Sequence, residues 1–396
     1  MSEPLRVMIA AGGTGGHVFP AIAIADAIAG VRPDTRFLFA GTRDRMEWKA
    51  VPAAGYDIQP VWISGWHRRF TLKNLLFPFK LFVSLWQSRN LIRRFRPHAV
   101  ISCGGFVAGP VGWMASRQNI PLFLQEQNSF PGVTNRKLAP RARRIYTAFD
   151  EAGKWFPGDR IMVAGNPVRQ SLIRNLQDPA FPDQARKHFG LDMSRPVLLV
   201  MGGSGGAKSI NEAMLQHVHS LLEDGIQIIW QCGEAYLPQI RERLGFKSSR
   251  DGVAADAQGL QLYGFMDDIT EAWAAADLIV SRAGAITCSE LLATGKAGIL
   301  VPSPWVAGDH QTHNARALAG QGAAVLLKDS ELTASLADQV RSLMDDPARR
   351  QRMQKQAKAM AKPDAAKDIA RDILEHIPAP AGRAIQQKSD NSTTPA

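Results

Sequence analysis

Two glycine runs stand where backbone chemistry is concentrated: Gly12-Gly13-Thr14-Gly15-Gly16 and Gly202-Gly203-Ser204-Gly205-Gly206. Each follows a short apolar run and opens an amphipathic one, the pattern of a strand, a tight turn and a helix start. Such a junction gathers backbone N–H groups and the positive end of a helix dipole at one point, which suits a phosphate or a developing negative charge. Two such loops facing across a cleft suit a pyrophosphate. A tight strand-to-helix turn also selects glycine for positive φ alone, so either loop taken singly reads equally as a ligand cradle or as turn geometry. A dinucleotide fingerprint needs an acidic residue closing the second strand, where this chain has Ala40-Gly41 and Cys232-Gly233. A P-loop is excluded, because neither run supplies G-x-x-x-x-G-K-[ST].

His17 directly follows the first glycine run. A helix N-terminus disfavours imidazolium there and leaves a neutral base, although a histidine at such a position also serves as a plain cap. Glu290 lies six residues past Gly284, in an otherwise apolar helix start, where a carboxylate can take two hydrogen bonds from vicinal sugar hydroxyls or simply face solvent. Asp309, His310 and Gln311 open another helix and suit polar contacts to a sugar. His310 and His313 share helical spacing, but no third ligand cluster accompanies them, so no metal is expected.

Elements that would position these residues alternate along the chain. Arg6–Ala11, Arg36–Gly41, Ala99–Cys103, Pro121–Gln125, Arg144–Phe149 and Ile161–Ala164 read as strands, with helices such as Phe19–Ala29 between them. The pattern restarts at Val197–Met201 and continues through Ile226–Cys232, Leu260–Phe265, Leu278–Val280, Gly298–Pro302 and Ala324–Leu327. Apolar strands separated by helices imply parallel sheets covered on both faces, hence an α/β fold of two doubly wound domains. Residues 1–166 form the first domain and 167–362 the second. After Leu332 the chain reads as helical to about Ile377 with a break at Lys362-Pro363, and 378–396, rich in Pro, Gln, Ser and Thr, read as a disordered tail.

The chain has 396 residues with 47 Lys plus Arg against 36 Asp plus Glu, a net charge of +11. The 37 residues from Trp62 to His98 hold eight basic residues and no acid, and those from Gln127 to Phe149 hold five more. These thirteen exceed the whole net excess, so the basicity belongs to a local face, which argues against a nucleic-acid partner. Within the first stretch Leu75, Phe79, Phe82 and Trp86 fall on one helical face. The same stripe alone is more often core, but in an acid-free basic field it suits contact with an anionic membrane surface. Cys103, Cys232 and Cys288 form no C-x-x-C pair, so a disulfide framework is not supported and a reducing cytoplasm fits. The N-terminus does not read as a signal peptide, and the uncharged run 97–116 holds four glycines and two prolines, which reads as strand, loop and helix rather than a membrane span.

Taken together, GGTGGHVFP (12–20), CGGF-x-x-GP (103–110), EQN-x-x-PG-x-TN (126–135), GNPVR (165–169), GGSGGA (202–207), SRAGA-x-x-x-SE (281–290) and DHQT-x-NA (309–315) resemble the MurG-type N-acetylglucosaminyltransferases of peptidoglycan synthesis. The resemblance implies a GT-B architecture, two Rossmann-like domains facing across a cleft with a C-terminal helix, about 363–377, returning to the first. It implies inverting, cofactor-free and metal-free transfer of N-acetylglucosamine from UDP-N-acetylglucosamine to undecaprenyl-diphospho-N-acetylmuramoyl-pentapeptide (lipid I), giving lipid II. By the same resemblance Ser204, Gly205 and Arg169 meet the diphosphate, Glu290 the ribose, His310 and Gln311 the sugar, and Phe265 lies beside the uracil-binding backbone. Thr14, Gly15, Gly16 and Asn128 approach the donor from the first domain, and Gly104, Gly105 and Phe106 line the acceptor side.

His17 is the first choice for the base and Glu126 the second, with Thr14 beside them. Three positions depart from the family: Gly205 replaces a usual glutamine, Phe106 a common aromatic hydroxyl, and Gln125 a frequent histidine. The resemblance places the protein peripherally on the cytoplasmic face of the inner membrane, with cell-wall synthesis and division proteins as partners. Rival readings on the same signals are a glycolipid-forming glycosyltransferase, a UDP-sugar 2-epimerase and a non-enzymatic polyanion-binding module.

Overall fold

The computed structural model describes residues 3–65, 76–203, 205–246, 253–255 and 259–377. Two seven-stranded sheets organise it. The first comprises β1 (Arg6–Ala10), β2 (Arg36–Gly41), β3 (Ile58–Pro60), β4 (Ala99–Ser102), β5 (Leu122–Glu126), β6 (Arg144–Thr147) and β7 (Ile161–Val163), in the order β3-β2-β1-β4-β5-β6-β7. The second comprises β8 (Val197–Met201), β9 (Gln227–Gln231), β10 (Val253–Ala255), β11 (Leu260–Tyr263), β12 (Leu278–Arg282), β13 (Ala297–Val301) and β14 (Val325–Leu326), in the order β10-β11-β9-β8-β12-β13-β14. All pairings are parallel except β10 with β11.

The central strands are apolar along their length because both of their faces are covered. Val7 and Ile9 of β1 pack toward the helix Gly15–Val31, while Met8 and Ala10 pack toward Ile92 and Val111 on the opposite face. The second sheet repeats this, with Leu198 and Val200 on one face and Leu199 and Met201 on the other. Alternation in such strands separates two buried faces rather than a wet face from a dry one.

The chain crosses between the sheets through 164–169 and returns through 361–364. The two crossings touch at Gly165, whose φ of +85° is a glycine conformation and where a Cβ would lie 2.4 Å from Lys362 Cβ. The returning helix Ala365–His376 buries Ile369, Ala370 and Ile373 against Ile24, Ala25 and Ile28 of the first unit. Arg144 grips Asp372 with two hydrogen bonds of 2.9 Å, and Tyr146 Oη donates to Asp372 Oδ2 at 2.7 Å. The last helix therefore completes the first unit, as the fold class required.

Two local expectations change. The strands β3 and β10 do not appear in the sequence reading, since Ile58-Gln59-Pro60 is broken by a polar residue and a proline and Val253-Ala254-Ala255 is flanked closely by Gly252 and Asp256. The helical stretch after Leu332 breaks at Asp345-Asp346 as well, because Asp346 Oδ1 accepts from Arg349 N at 2.8 Å and Pro347 starts a new helix. The aromatic stripe is exposed, so the core alternative to its membrane-facing reading falls away. Phe79, Phe82 and Trp86 on the helix Phe77–Phe95 are 58%, 70% and 60% exposed, and the helix buries Ser84, Ser88 and Ile92 instead. Leu75 and the tail 378–396 lie outside the described residues. The run 97–116 resolves into β4, a loop and the helix Ala108–Arg117, and among the described residues no helix is long and apolar enough to cross a membrane.

Candidate functional site

In each sheet the strand order reverses beside the first strand, between β1 and β4 and between β8 and β12. Loops leaving the carboxyl ends of those strands flank a crevice, the standard ligand position of open α/β sheets. The first unit contributes the loop 11–14 after β1, 103–106 after β4 and 127–132 after β5. The second contributes 202–207 after β8, 283–284 after β12 and 302–309 after β13.

Thr14 caps the helix Gly15–Val31 through its carbonyl, which accepts from His17 N at 3.1 Å and Val18 N at 3.2 Å. Its hydroxyl makes no cap bond and sits 3.2 Å from His17 Nδ1. Gly104 and Gly105, with φ of +99° and +81°, let the β4 loop press on this turn. A Cβ on Gly104 would lie 2.6 Å from His17 Cδ2, and one on Gly105 would lie 2.1 Å from the Gly12 carbonyl oxygen. Gly13 N donates to Glu47 Oε2 at 3.1 Å, and Thr42 N and Oγ1 donate to Glu47 Oε1 at 3.0 and 2.7 Å. Glu47, fully buried, thus fixes the glycine turn from beneath.

Desolvation by the surrounding walls lowers the His17 pKa below the ordinary imidazole value. The charge of Glu126, a backbone hydrogen bond at Gly12 and the charge of Glu47 oppose that shift without cancelling it, while His310 of the second unit adds to it. His17 is therefore neutral near pH 7. The largest cause is burial.

Glu126 is 2% exposed and accepts four hydrogen bonds. Oε1 takes Asn128 N at 3.0 Å and Asn128 Nδ2 at 3.2 Å, and Oε2 takes Gly132 N at 3.0 Å and Asn135 Nδ2 at 2.9 Å. A carboxylate with its lone pairs so engaged orders a loop and supplies charge. Beside it Gln125, buried, replaces ionic with amide chemistry. Its Nε2 donates to Asn166 Oδ1 at 2.8 Å, and Gln127 Nε2 donates to Gln125 Oε1 and to the Cys103 carbonyl. Phe106 is 53% exposed and brings the tip of its ring against Gly65, where a Cβ would meet its Cζ at 2.2 Å.

In the second unit the turn 202–207 is built on Gly203 and Gly206, with φ of +87° and +74°, and Gly206 N donates to the Gly203 carbonyl at 3.0 Å. A Cβ on Gly206 would lie 2.1 Å from the Cys232 carbonyl oxygen. Ser204 lies outside the described residues, and Gly205 has open space around its Cα. The turn delivers the helix Lys208–Glu223, whose first turn carries no acid. Gln231 Nε2 donates to the Gly203 carbonyl at 3.4 Å and its Oε1 accepts from Met266 N at 3.0 Å, so one side chain ties this turn to the loop bearing Phe265, itself 43% exposed.

Glu290 is 2% exposed on the helix Ala285–Thr294, and its Oε1 accepts from Arg169 Nε at 2.7 Å. The structure thus brings together two residues expected at different parts of the donor. Gln311 Oε1 accepts from Ser303 N at 2.8 Å, and His310 Nδ1 lies 2.9 Å from the Phe130 carbonyl oxygen of the first unit. His17 and His310 come near enough for their charges to interact.

Sequence reasoning gave no role to four residues that organise the site. Arg282 reaches Asp329, donates to Ser209 Oγ at 2.7 Å and to the Val301 and Pro302 carbonyls at 3.3 Å. Asn166 Nδ2 donates to the Gln127 carbonyl at 2.9 Å and to Ser289 Oγ at 3.0 Å, across the two units. Asn314 and Asn135 complete the set. All four sit inside motifs already conspicuous in the sequence, whereas Glu47 has no sequence signal beyond following the second strand. No group of three His, Cys, Asp or Glu close enough to hold a metal ion occurs among the described residues.

Comparison with known proteins fits this geometry. The glycosyltransferase family 28 N-terminal domain matches residues 7–147 and the glycosyltransferase family 28 C-terminal domain matches residues 197–369. A protein of Salinibacter ruber named UDP-N-acetylglucosamine--N-acetylmuramyl-(pentapeptide) pyrophosphoryl-undecaprenol N-acetylglucosamine transferase is 45% identical, over 93% of this chain and 96% of its own length. A Flavobacterium psychrophilum protein of the same name is 40% identical, over 95% and 98%. The crystal structure of Acinetobacter baumannii MurG, 28% identical, superimposes with a TM-score of 0.73 over 94% of this chain and 100% of that one. A Neisseria meningitidis UDP-GlcNAc 2-epimerase, 13% identical with a TM-score of 0.63, shares the fold. With both family domains present in order and relatives aligned along nearly the whole length, the chain belongs to the MurG-type transferases of glycosyltransferase family 28.

Proposed function

We propose that this glycosyltransferase moves N-acetylglucosamine from UDP-N-acetylglucosamine to the muramoyl hydroxyl of undecaprenyl-diphospho-N-acetylmuramoyl-pentapeptide, with inversion at the anomeric carbon. The observation that carries this reading is the His17 imidazole standing at the first glycine turn, 3.2 Å from Thr14 Oγ1, with Glu126 of its own unit and His310 of the second unit both near enough to act on its charge. In the single displacement the acceptor O–H bond breaks, its proton passes to His17, the oxygen bonds to C1, and the C1–O bond to the diphosphate opens to release UDP. Thr14 Oγ1 holds the imidazole in place, and Glu126 stabilises the imidazolium that forms. The helix start at Lys208 and Arg169 face the charge that grows on the leaving diphosphate. Glu290, held by Arg169, offers its carboxylate to the ribose hydroxyls.

The acceptor is a lipid, and the exposed Phe79, Phe82 and Trp86 support docking at a bilayer. Lys80, Arg89, Arg93, Arg94 and Arg96 accompany them, and Lys80 Nζ lies over the Trp62 ring at 5.5 Å. Aromatic rings at the headgroup level with cations toward anionic lipid support a peripheral position, which we read as the cytoplasmic face of the inner membrane.

A transfer assay with UDP-N-acetylglucosamine and a short-chain lipid I analogue, with and without EDTA, tests the reading. Formation of a β-linked disaccharide product insensitive to EDTA is expected. Consumption of the donor without acceptor, or transfer only to diacylglycerol, would refute it.

A further inference from the structure

Asn314 lies midway along the helix His310–Gly320 and has no exposed surface. Its carboxamide is saturated. Oδ1 accepts from Ser129 N at 2.9 Å and Ser129 Oγ at 3.1 Å, and Nδ2 donates to Asn128 Oδ1 at 3.2 Å and to the Ala283 carbonyl at 3.2 Å. Three of these bonds reach the first unit, on the loop that follows β5. The fourth holds the side chain to its own unit, next to Gly284 at the start of the helix that bears Glu290.

The next link lies in Asn128. Its Oδ1 is taken by Asn314, while its Nδ2 and backbone N both bond Glu126 Oε1. Glu126 is in turn the strongest of the charges that favour the protonated form of His17. One line of amides, buried at Asn314 and half-buried at Asn128, therefore runs from the helix that starts with His310 and Gln311 to the buried carboxylate of Glu126. A buried amide that loses a partner costs free energy that water at a surface would have restored, so this line resists any separation of the helix from the β5 loop.

We propose that Asn314 is a positioning residue that registers the donor-side helix against the Asn128–Ser129 loop, so that Glu126 and His17 stand in catalytic register only when that helix is seated. This deepens the transferase reading and rests on it, since there the donor sugar meets His310 and Gln311 on the same helix. Seating the sugar and setting the base then become one event. A donor that leaves the helix displaced leaves the base unsupported.

The test uses the full-length enzyme with Asn314→Ala, Asn128→Ala and the double variant, measuring kcat at saturating substrates and UDP affinity by calorimetry. Loss of a buried amide's partners predicts a fall in kcat of roughly tenfold to a hundredfold for Asn314→Ala. In Asn314→Ala UDP affinity stays within about twofold, because Asn314 bonds neither Arg169, Glu290 nor the 202–207 turn. The double variant is no slower than the slower single variant, since both break the same line.

Wild-type kcat in Asn314→Ala overturns the proposal. So does a loss of UDP affinity equal to the loss of kcat, which would mean that Asn314 merely holds the donor unit together, and so do fully multiplicative effects. Should Asn314→Ala fail to fold, Ser129→Ala removes only the 3.1 Å bond. A several-fold lower kcat at unchanged UDP affinity supports the proposal there, and an unaltered kcat overturns it. A wild-type enzyme that neither binds UDP nor transfers the sugar refutes the transferase reading itself, whereas an active wild type beside an equally active Asn314→Ala refutes the register alone.

Discussion

Replacing Glu126 by glutamine separates its charge from its shape. The carboxylate takes four N–H donors within 2.9 to 3.2 Å, and a carboxamide can accept only at its oxygen. Its NH2 group then faces two donors, either Asn128 N and Nδ2 or Gly132 N and Asn135 Nδ2. Two lost bonds with poorly satisfied buried N–H groups cost about 2–4 kcal/mol in all. A domain of this size then melts roughly 5–15 °C lower.

The same substitution removes the charge that most favours imidazolium at His17. A base acts only when neutral, so activity falls as pH drops through its pKa. With Glu126 gone that pKa moves further down, and the acid limb of the kcat/KM profile shifts to lower pH. On the plateau the rate nevertheless falls, because the imidazolium formed during transfer has lost its counter-charge. If that interaction is worth about 1.4–2.8 kcal/mol, kcat drops roughly tenfold to a hundredfold. Melting curves and pH profiles on the same preparation check both parts. A Glu126→Gln enzyme whose acid limb rises or stays put, or whose melting temperature is unchanged, contradicts the assignment of Glu126 as the charge behind His17.

Three further outcomes follow from particular contacts. Gly206→Ala places a Cβ 2.1 Å from the Cys232 carbonyl oxygen at φ +74°, whereas Gly203→Ala, at φ +87°, meets nothing within 4 Å. Calorimetry should therefore show a loss of UDP affinity of about tenfold or more for the first and a smaller one for the second, which carries only the left-handed strain of about 1–2 kcal/mol. For Asp372, burial acts against its charge, but hydrogen bonds from Arg144 and Tyr146 outweigh it and hold the carboxyl below its usual range. Its stabilisation is present above the unfolded carboxylate pKa and is lost as pH falls through the lower folded value. Asp372→Asn should thus cost about 1–3 kcal/mol at pH 7 in denaturant titrations and lose that deficit in acid. Phe82→Glu with Trp86→Glu, at 70% and 60% exposure, should leave melting unchanged while abolishing sedimentation with anionic vesicles; retained binding contradicts the membrane face.

The alternation of apolar runs and helices was enough to find the central parallel strands, because strands buried on both faces announce themselves by continuous hydrophobicity, as in Val197–Met201. The edge strands Ile58–Pro60 and Val253–Ala255 carry no such signal: the first is broken by Gln59 and Pro60, and the second is hemmed in by Gly252 and Asp256. The glycine turns were visible as composition, yet only the structure distinguishes Gly206, pressed on a neighbouring carbonyl, from Gly203, which needs its φ alone. Glu126 stood out within its motif, but its four donors come from a loop that sequence spacing does not fold. Asn314 and Ser129 are separated by 185 positions, so their contact follows from how the two units meet. The aromatic stripe shows the converse limit. Helical spacing established one face, and whether that face was wet or dry depended on Ser84, Ser88 and Ile92 filling the buried side.

The most direct test compares His17→Ala with the unaltered enzyme, measuring kcat for transfer to a soluble lipid I analogue alongside UDP affinity. A first-unit base and a second-unit nucleotide site predict that kcat falls by roughly a hundredfold or more while UDP binds as before. An unchanged kcat in a folded variant, or a parallel loss of UDP binding, would place the proton transfer or the nucleotide elsewhere.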